Sequence, residues 1–121
     1  MPKITKQTRI KNRIKELEGL FANIDADKFR IITHSIVQAA KMECYLEDLS
    51  IQLDAAGFVE IYQNGEHQSG KKESTESKAY STLIKNYNTV IRTLLTCLPE
   101  NAPPQAEDAL TEFLRNGTRR S

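Results

Sequence analysis

Tryptophan is absent from this 121-residue chain, aromatic residues make up only 7%, and there are just two cysteines, two methionines and two histidines. Without large rings, the core has to be built mainly from aliphatic side chains. A chain of this length suits one domain and buries about two-thirds of the surface that its unfolded form exposes. Nowhere do eighteen apolar residues run together, which argues against a membrane-spanning helix. The opening residues Met1 to Arg9 carry charge but no apolar run, so no signal peptide is expected. Cys44 and Cys97 lie far apart in helical patterns, and a reduced pair of small buried groups is expected, with a disulfide as the alternative. Neither His34 nor His67 has a partner at ligand spacing, so no metal site is expected. There is no glycine-rich phosphate loop, no Gly-x-Ser-x-Gly and no His-Glu-x-x-His, so no catalytic residue and no cofactor are expected.

What is present is helical periodicity. Ile10, Ile14, Leu17, Phe21 and Ile24 recur at spacings of four and three, predicting a first helix from about Thr5 to Ala22. Asp25 offers a cap for a second helix, which should run from Ala26 to Ala56 and stop at Gly57. At 1.5 Å per residue that helix is about 46 Å long. It carries two apolar stripes. One contains Phe29, Ile32, Ile36, Ala39, Leu46, Leu49 and Leu53; the other is Val37, Cys44 and Ile51, repeating every seven residues on a different side. A helix with two apolar sides needs two neighbours. One is the third helix, and the other is either the first helix or a second subunit, so Val37, Cys44 and Ile51 are candidates for oligomerisation.

After Gly57 the period changes. Phe58 to Tyr62 alternates and is rich in β-formers, and Asn64-Gly65 is a tight-turn dipeptide, but Glu66 to Lys72 makes a poor return strand. A short extended segment or weak hairpin, then a flexible polar loop, is expected. Ser74 or Thr75 caps a third helix that ends at Pro99, with Tyr80, Leu83, Ile84, Tyr87, Val90, Ile91, Leu94, Leu95 and Leu98 on one face. Beyond the prolines, a last short helix from Gln105 to Arg115 carries Leu110, Phe113 and Leu114. The expected fold is mainly α: a basic N-terminal helix (1–24), a long helical hairpin with an extended or β-hairpin-like loop at 58–75 (25–99), and a proline-containing linker, short helix and tail (100–121).

The net charge of +1 conceals segregation. Lys3, Lys6, Arg9, Lys11, Arg13 and Lys15 precede the first carboxylate, Glu16, leaving eleven basic residues against all sixteen acidic ones in the remainder. Six carboxylates, and no Lys or Arg, lie between Met42 and Gly70. From Ser77 to Leu98 the reverse holds: Lys78, Lys85 and Arg92 recur every seven residues with no acid among them. Solvated surface is one reading of both basic rows. The other is phosphate contact, with Lys6, Arg9, Lys11, Arg13 and Lys15 as the main candidates and Lys78, Lys85 and Arg92 as a second row. No helix-turn-helix with a short glycine turn is visible, so a binding mode is not specified.

Taken together, the basic start, the long helix closed by Gly57, the segment Phe58-Val59-Glu60-Ile61-Tyr62-Gln63-Asn64-Gly65 and the helix from Lys78 to Pro99 resemble the small subunits of phage terminases, over roughly Lys28 to Pro99. The resemblance implies a non-enzymatic protein of the bacterial host's cytoplasm. It would bind double-stranded viral DNA, assemble as a homo-oligomeric ring, and recruit or regulate a large ATPase-nuclease subunit during genome packaging. The Leu110, Phe113 and Leu114 side of the last helix is then a candidate dock for the large subunit, or else a cover for the chain's own core. A helical adaptor without a DNA role and a small DNA-binding transcriptional regulator are the competing readings.

Overall fold

The computed structural model describes residues 5–63 and 69–116, with side chains left aside at 60–69 and at 116. The chain is mainly helical: α1 (Lys6–Leu20), α2 (Ala26–Ala56), β1 (Val59–Gln63), β2 (Ser69–Glu73), α3 (Thr75–Thr96), α4 (Pro104–Leu110) and α5 (Glu112–Asn116). None of the described helices is long and apolar enough to cross a membrane. The expected turn at Asn64-Gly65 and the side chain of His67 lie outside the described residues.

Local chemistry accounts for the boundaries. The Thr5 hydroxyl accepts the Thr8 amide at 3.1 Å, the Asp25 carboxylate accepts that of Lys28 at 3.4 Å, and the buried Ser74 hydroxyl accepts that of Ser77 at 3.1 Å. Each satisfies one of the amides that a helix leaves without an internal partner. Gly57 stops α2 at φ 84°, a left-handed conformation that glycine adopts without a Cβ penalty. Pro104 starts α4, where its missing N–H is not needed. The last helix is two pieces that meet at Thr111, whose hydroxyl donates to the Glu107 carbonyl at 3.0 Å.

The polar return strand does form. β1 and β2 pair antiparallel, Val59 opposite Glu73 and Gln63 opposite Ser69, and the Ser74 amide donates to the Phe58 carbonyl at 2.8 Å to close the base. This ladder is main-chain hydrogen bonding, which explains why hydrophobic patterning gave so little warning of it.

Two helices flank α2. α3 returns along one side, bringing Tyr87, Ile91 and Leu94 against Ile36, Ala39 and Leu46; α1 runs antiparallel along the other, with Leu17 and Phe21 fully buried. α4 and α5 close the remaining side, Leu110 entering the core at 0% exposure with Phe113 and Leu114 packed beside it. The candidate partner dock is therefore the chain's own core cover, since these side chains are already spent on Tyr87 and its neighbours. The Phe113 ring meets that of Tyr87 edge-on at 5.4 Å between centroids.

The stripe proposed for oligomerisation is also reassigned. Cys44 is buried beneath α1 and Val37 is half-buried, so α1 is the second neighbour of this side of α2. Ile51 stays 65% exposed, two turns of α2 beyond Cys44. Cys44 and Cys97 are free thiols.

Candidate nucleic-acid interface and the buried charge cluster

The two charge blocks seen in the sequence meet each other. Along the antiparallel α1–α2 contact, Lys6 Nζ lies 2.5 Å from Asp48 Oδ2, Arg9 pairs with Glu47, and Arg13 Nε donates to Glu43 Oε1 at 2.8 Å. The basic face of α1 is therefore partly neutralised by the acidic half of α2. Asp48 accordingly holds the Lys6 ammonium above its ordinary value. Arg9 also donates to Cys44 Sγ at 3.1 Å, while burial pushes the Cys44 thiol up against the pull of that guanidinium.

Arg13 is corrected as a DNA contact. Its side chain is only 12% exposed, and every arm of the guanidinium is engaged. Besides Glu43, Nη1 meets Glu16 at 2.6 Å and Glu112 at 3.6 Å, and Nη2 donates to the Ala109 carbonyl at 3.1 Å. A phosphate would have to displace a charge-assisted network that holds α1, α2, α4 and α5 together. Lys6 and Arg9 keep partial exposure beside their carboxylates, and Lys11 and Lys15 are exposed on the outer side of α1.

At the centre of this network is Glu43, which is 8% exposed and accepts Arg13 on one oxygen and the Tyr87 hydroxyl on the other at 2.8 Å. Burial pushes the Glu43 carboxyl up, and Arg13 and Tyr87 pull against that shift. Tyr87 is driven far above its ordinary value, first by burial and then by the neighbouring Glu43. Because the folded state holds the phenol proton more tightly than the unfolded chain, Tyr87 contributes stability that is complete below about pH 10 and is lost as pH rises beyond it. The expected slope from this group is about 1.4 kcal/mol per pH unit. Tyr87→Phe should remove that alkaline slope while costing about 1–3 kcal/mol at neutral pH, where Glu43 loses a donor. Urea unfolding at pH 7 and from pH 9.5 upward checks both signs.

This cluster was missed in the sequence because its acid was counted among six carboxylates. Its phase was the usable signal. Glu43 sits seven residues after Ile36 and three before Leu46, inside the apolar stripe, and Arg13 sits four before Leu17. A charge at those positions is buried by its own helix register and requires a partner. The adjoining cleft of about 320 Å³, lined by Arg9, Arg13, Glu16, Glu43, Glu47 and Glu112, has its two guanidiniums committed to these carboxylates. Among the described residues, no group of three or more His, Cys, Asp or Glu side chains is placed to hold a metal ion.

The face left over is on α3. Lys78, Lys85 and Arg92 are all exposed, with Ser81, Thr82, Thr89 and Thr96 also exposed around them. At 1.5 Å per residue the three cations span about 21 Å, drifting about 20° around the axis with each step of seven. Thr89, Thr93 and Thr96 hydroxyls bond back to carbonyls within the helix, at 3.2, 3.1 and 2.6 Å. Compared with known protein families, with curated proteins and with solved structures, the chain matches none.

Proposed function

We propose that the chain is the small subunit of a phage terminase: a non-enzymatic protein that binds double-stranded DNA, assembles with copies of itself, and recruits or regulates a large ATPase-nuclease subunit in the cytoplasm of the bacterial host. The resemblance over Lys28 to Pro99 supplies the family. The observation that carries DNA binding is the acid-free row Lys78, Lys85 and Arg92 on exposed α3, in contrast to an α1 whose cations are largely paired with carboxylates. In this reading α3 is the primary contact, and Lys11 and Lys15 add to the field around it.

Three phosphate contacts release about three counterions, so log K should fall with log salt at a slope near −2.7. Replacing Lys78, Lys85 and Arg92 together with Gln should remove most of that slope, leaving only what Lys11 and Lys15 contribute, and leave the helical content unchanged, because none of the three is buried. Fluorescence anisotropy of a labelled duplex across a salt series reads both quantities. An unchanged slope in the triple variant overturns the assignment of α3. Because such contacts reach phosphates and not base edges, the loss should be uniform across duplex sequences.

A further inference from the structure

The outer face of α3 holds a second line beside its cations. Thr82, Asn86, Thr89 and Thr93 follow one another at spacings of four, three and four, about 70° round the axis from the row of Lys78, Lys85 and Arg92. All four are exposed, and from Ser77 to Leu98 there is no carboxylate. A solvated helix face favours Glu, Lys and Gln, which hold a helix well. Thr, Asn and Ser hold it less well, because branching at Cβ or local hydrogen bonding competes with the helical backbone. Ser81 and Thr96 bring the exposed positions of this kind on α3 to six, so helix stability does not account for the composition of the face. What these residues share is shortness. Short side chains let a helix backbone come close to whatever it faces, while the longer Lys and Arg stems beside them reach outward to a rim.

An α-helix lying in the major groove of DNA has this division of labour, with cations on the phosphates of one wall and short side chains at the floor, where base edges are read. We infer that α3 reads sequence through Asn86, and that the base it selects is adenine. The inference rests on the reading of α3 as the DNA face and deepens it. Asn86 is the one amide in the line, and its side chain has no hydrogen-bond partner among the described residues. Its Nδ2 can donate to adenine N7 while its Oδ1 accepts from the adenine N6 amine, a two-point contact that no other base presents in that groove. The Thr89 and Thr93 hydroxyls are already spent on the carbonyls of Lys85 and Thr89, at 3.2 and 3.1 Å. What they have left for a base is a methyl group, suited to apolar contact with the methyl of thymine. The deep, narrow groove of an RNA helix would not admit α3, so the partner is a DNA duplex.

Selection by the full chain from duplexes with a randomised core finds the preferred site. Fluorescence anisotropy then measures affinity for that duplex and for copies in which each adenine in turn is replaced by 7-deazaadenine, which lacks the N7 acceptor. Wild type should lose about tenfold in affinity at one adenine. Asn86→Ala should bind the unmodified duplex about tenfold more weakly, keep the wild-type salt slope, and be indifferent to the 7-deaza substitution, because the contact is already gone. Alanine is the better helix former at this exposed position, so weaker binding by the variant is not a folding defect. Selection that yields no preferred site overturns the inference, as does a 7-deaza penalty that Asn86→Ala retains. In either case, salt-dependent binding that the Lys78, Lys85 and Arg92 triple variant loses keeps α3 as the DNA face. A wild-type chain that binds no duplex at low salt overturns both readings.

Discussion

Replacing Arg13 with alanine is expected to lower stability by about 3–5 kcal/mol, a large part of the 5–15 kcal/mol that holds a small domain folded. The loss follows from what remains behind. Glu43 would stay buried with only the Tyr87 hydroxyl, the Ala109 carbonyl would lose its donor, and Glu16 and Glu112 would lose the charge between them. Lysine should not rescue it, because one ammonium cannot serve Glu43 and the Ala109 carbonyl in the fork geometry of a guanidinium. Exposed Lys11→Ala, on the same helix, should change stability by less than about 0.5 kcal/mol. Urea unfolding followed by circular dichroism makes the comparison, and an Arg13→Ala variant as stable as Lys11→Ala would contradict the role of the cluster.

Removing residues 104–121 is expected to abolish cooperative folding. Leu110 alone, fully buried, is worth about 2–5 kcal/mol against alanine. The deletion also strips Phe113 from the Tyr87 ring and Ala109 from Arg13, and it opens the core around Leu17 and Tyr87 to water. The truncated chain should keep helical far-ultraviolet circular dichroism while losing its near-ultraviolet signal and its sharp urea transition. A truncated chain that unfolds as cooperatively as the full one would instead make the segment a free docking peptide.

The long elements were legible because their punctuation is local. Asp25, Gly57 and Ser74 mark ends by their own capping chemistry, and the α2 boundaries follow from the first two of them. What stayed hidden depends on partners far away in the sequence. The cations of α1 and the carboxylates of α2 read as two separate surfaces until antiparallel packing sets Lys6 against Asp48 and Arg13 against Glu43, 42 and 30 residues apart. Cys44 looked available for the same reason, since helical phase shows that a side is apolar and not what covers it. For Leu110, Phe113 and Leu114, the apolar spacing was plain, but a short amphipathic helix reads alike whether it docks on its own chain or on another.

On the proposed function, the chain meets DNA through α3 and not through its most basic segment. Titrating a duplex of about 20 base pairs into isotope-labelled protein, and following amide chemical shifts, tests this residue by residue. Shifts should concentrate around Lys78, Lys85 and Arg92, with the buried Arg13 region unmoved and smaller changes near Lys11 and Lys15. Shifts confined to α1, or no shifts at any low-salt duplex concentration, would contradict it.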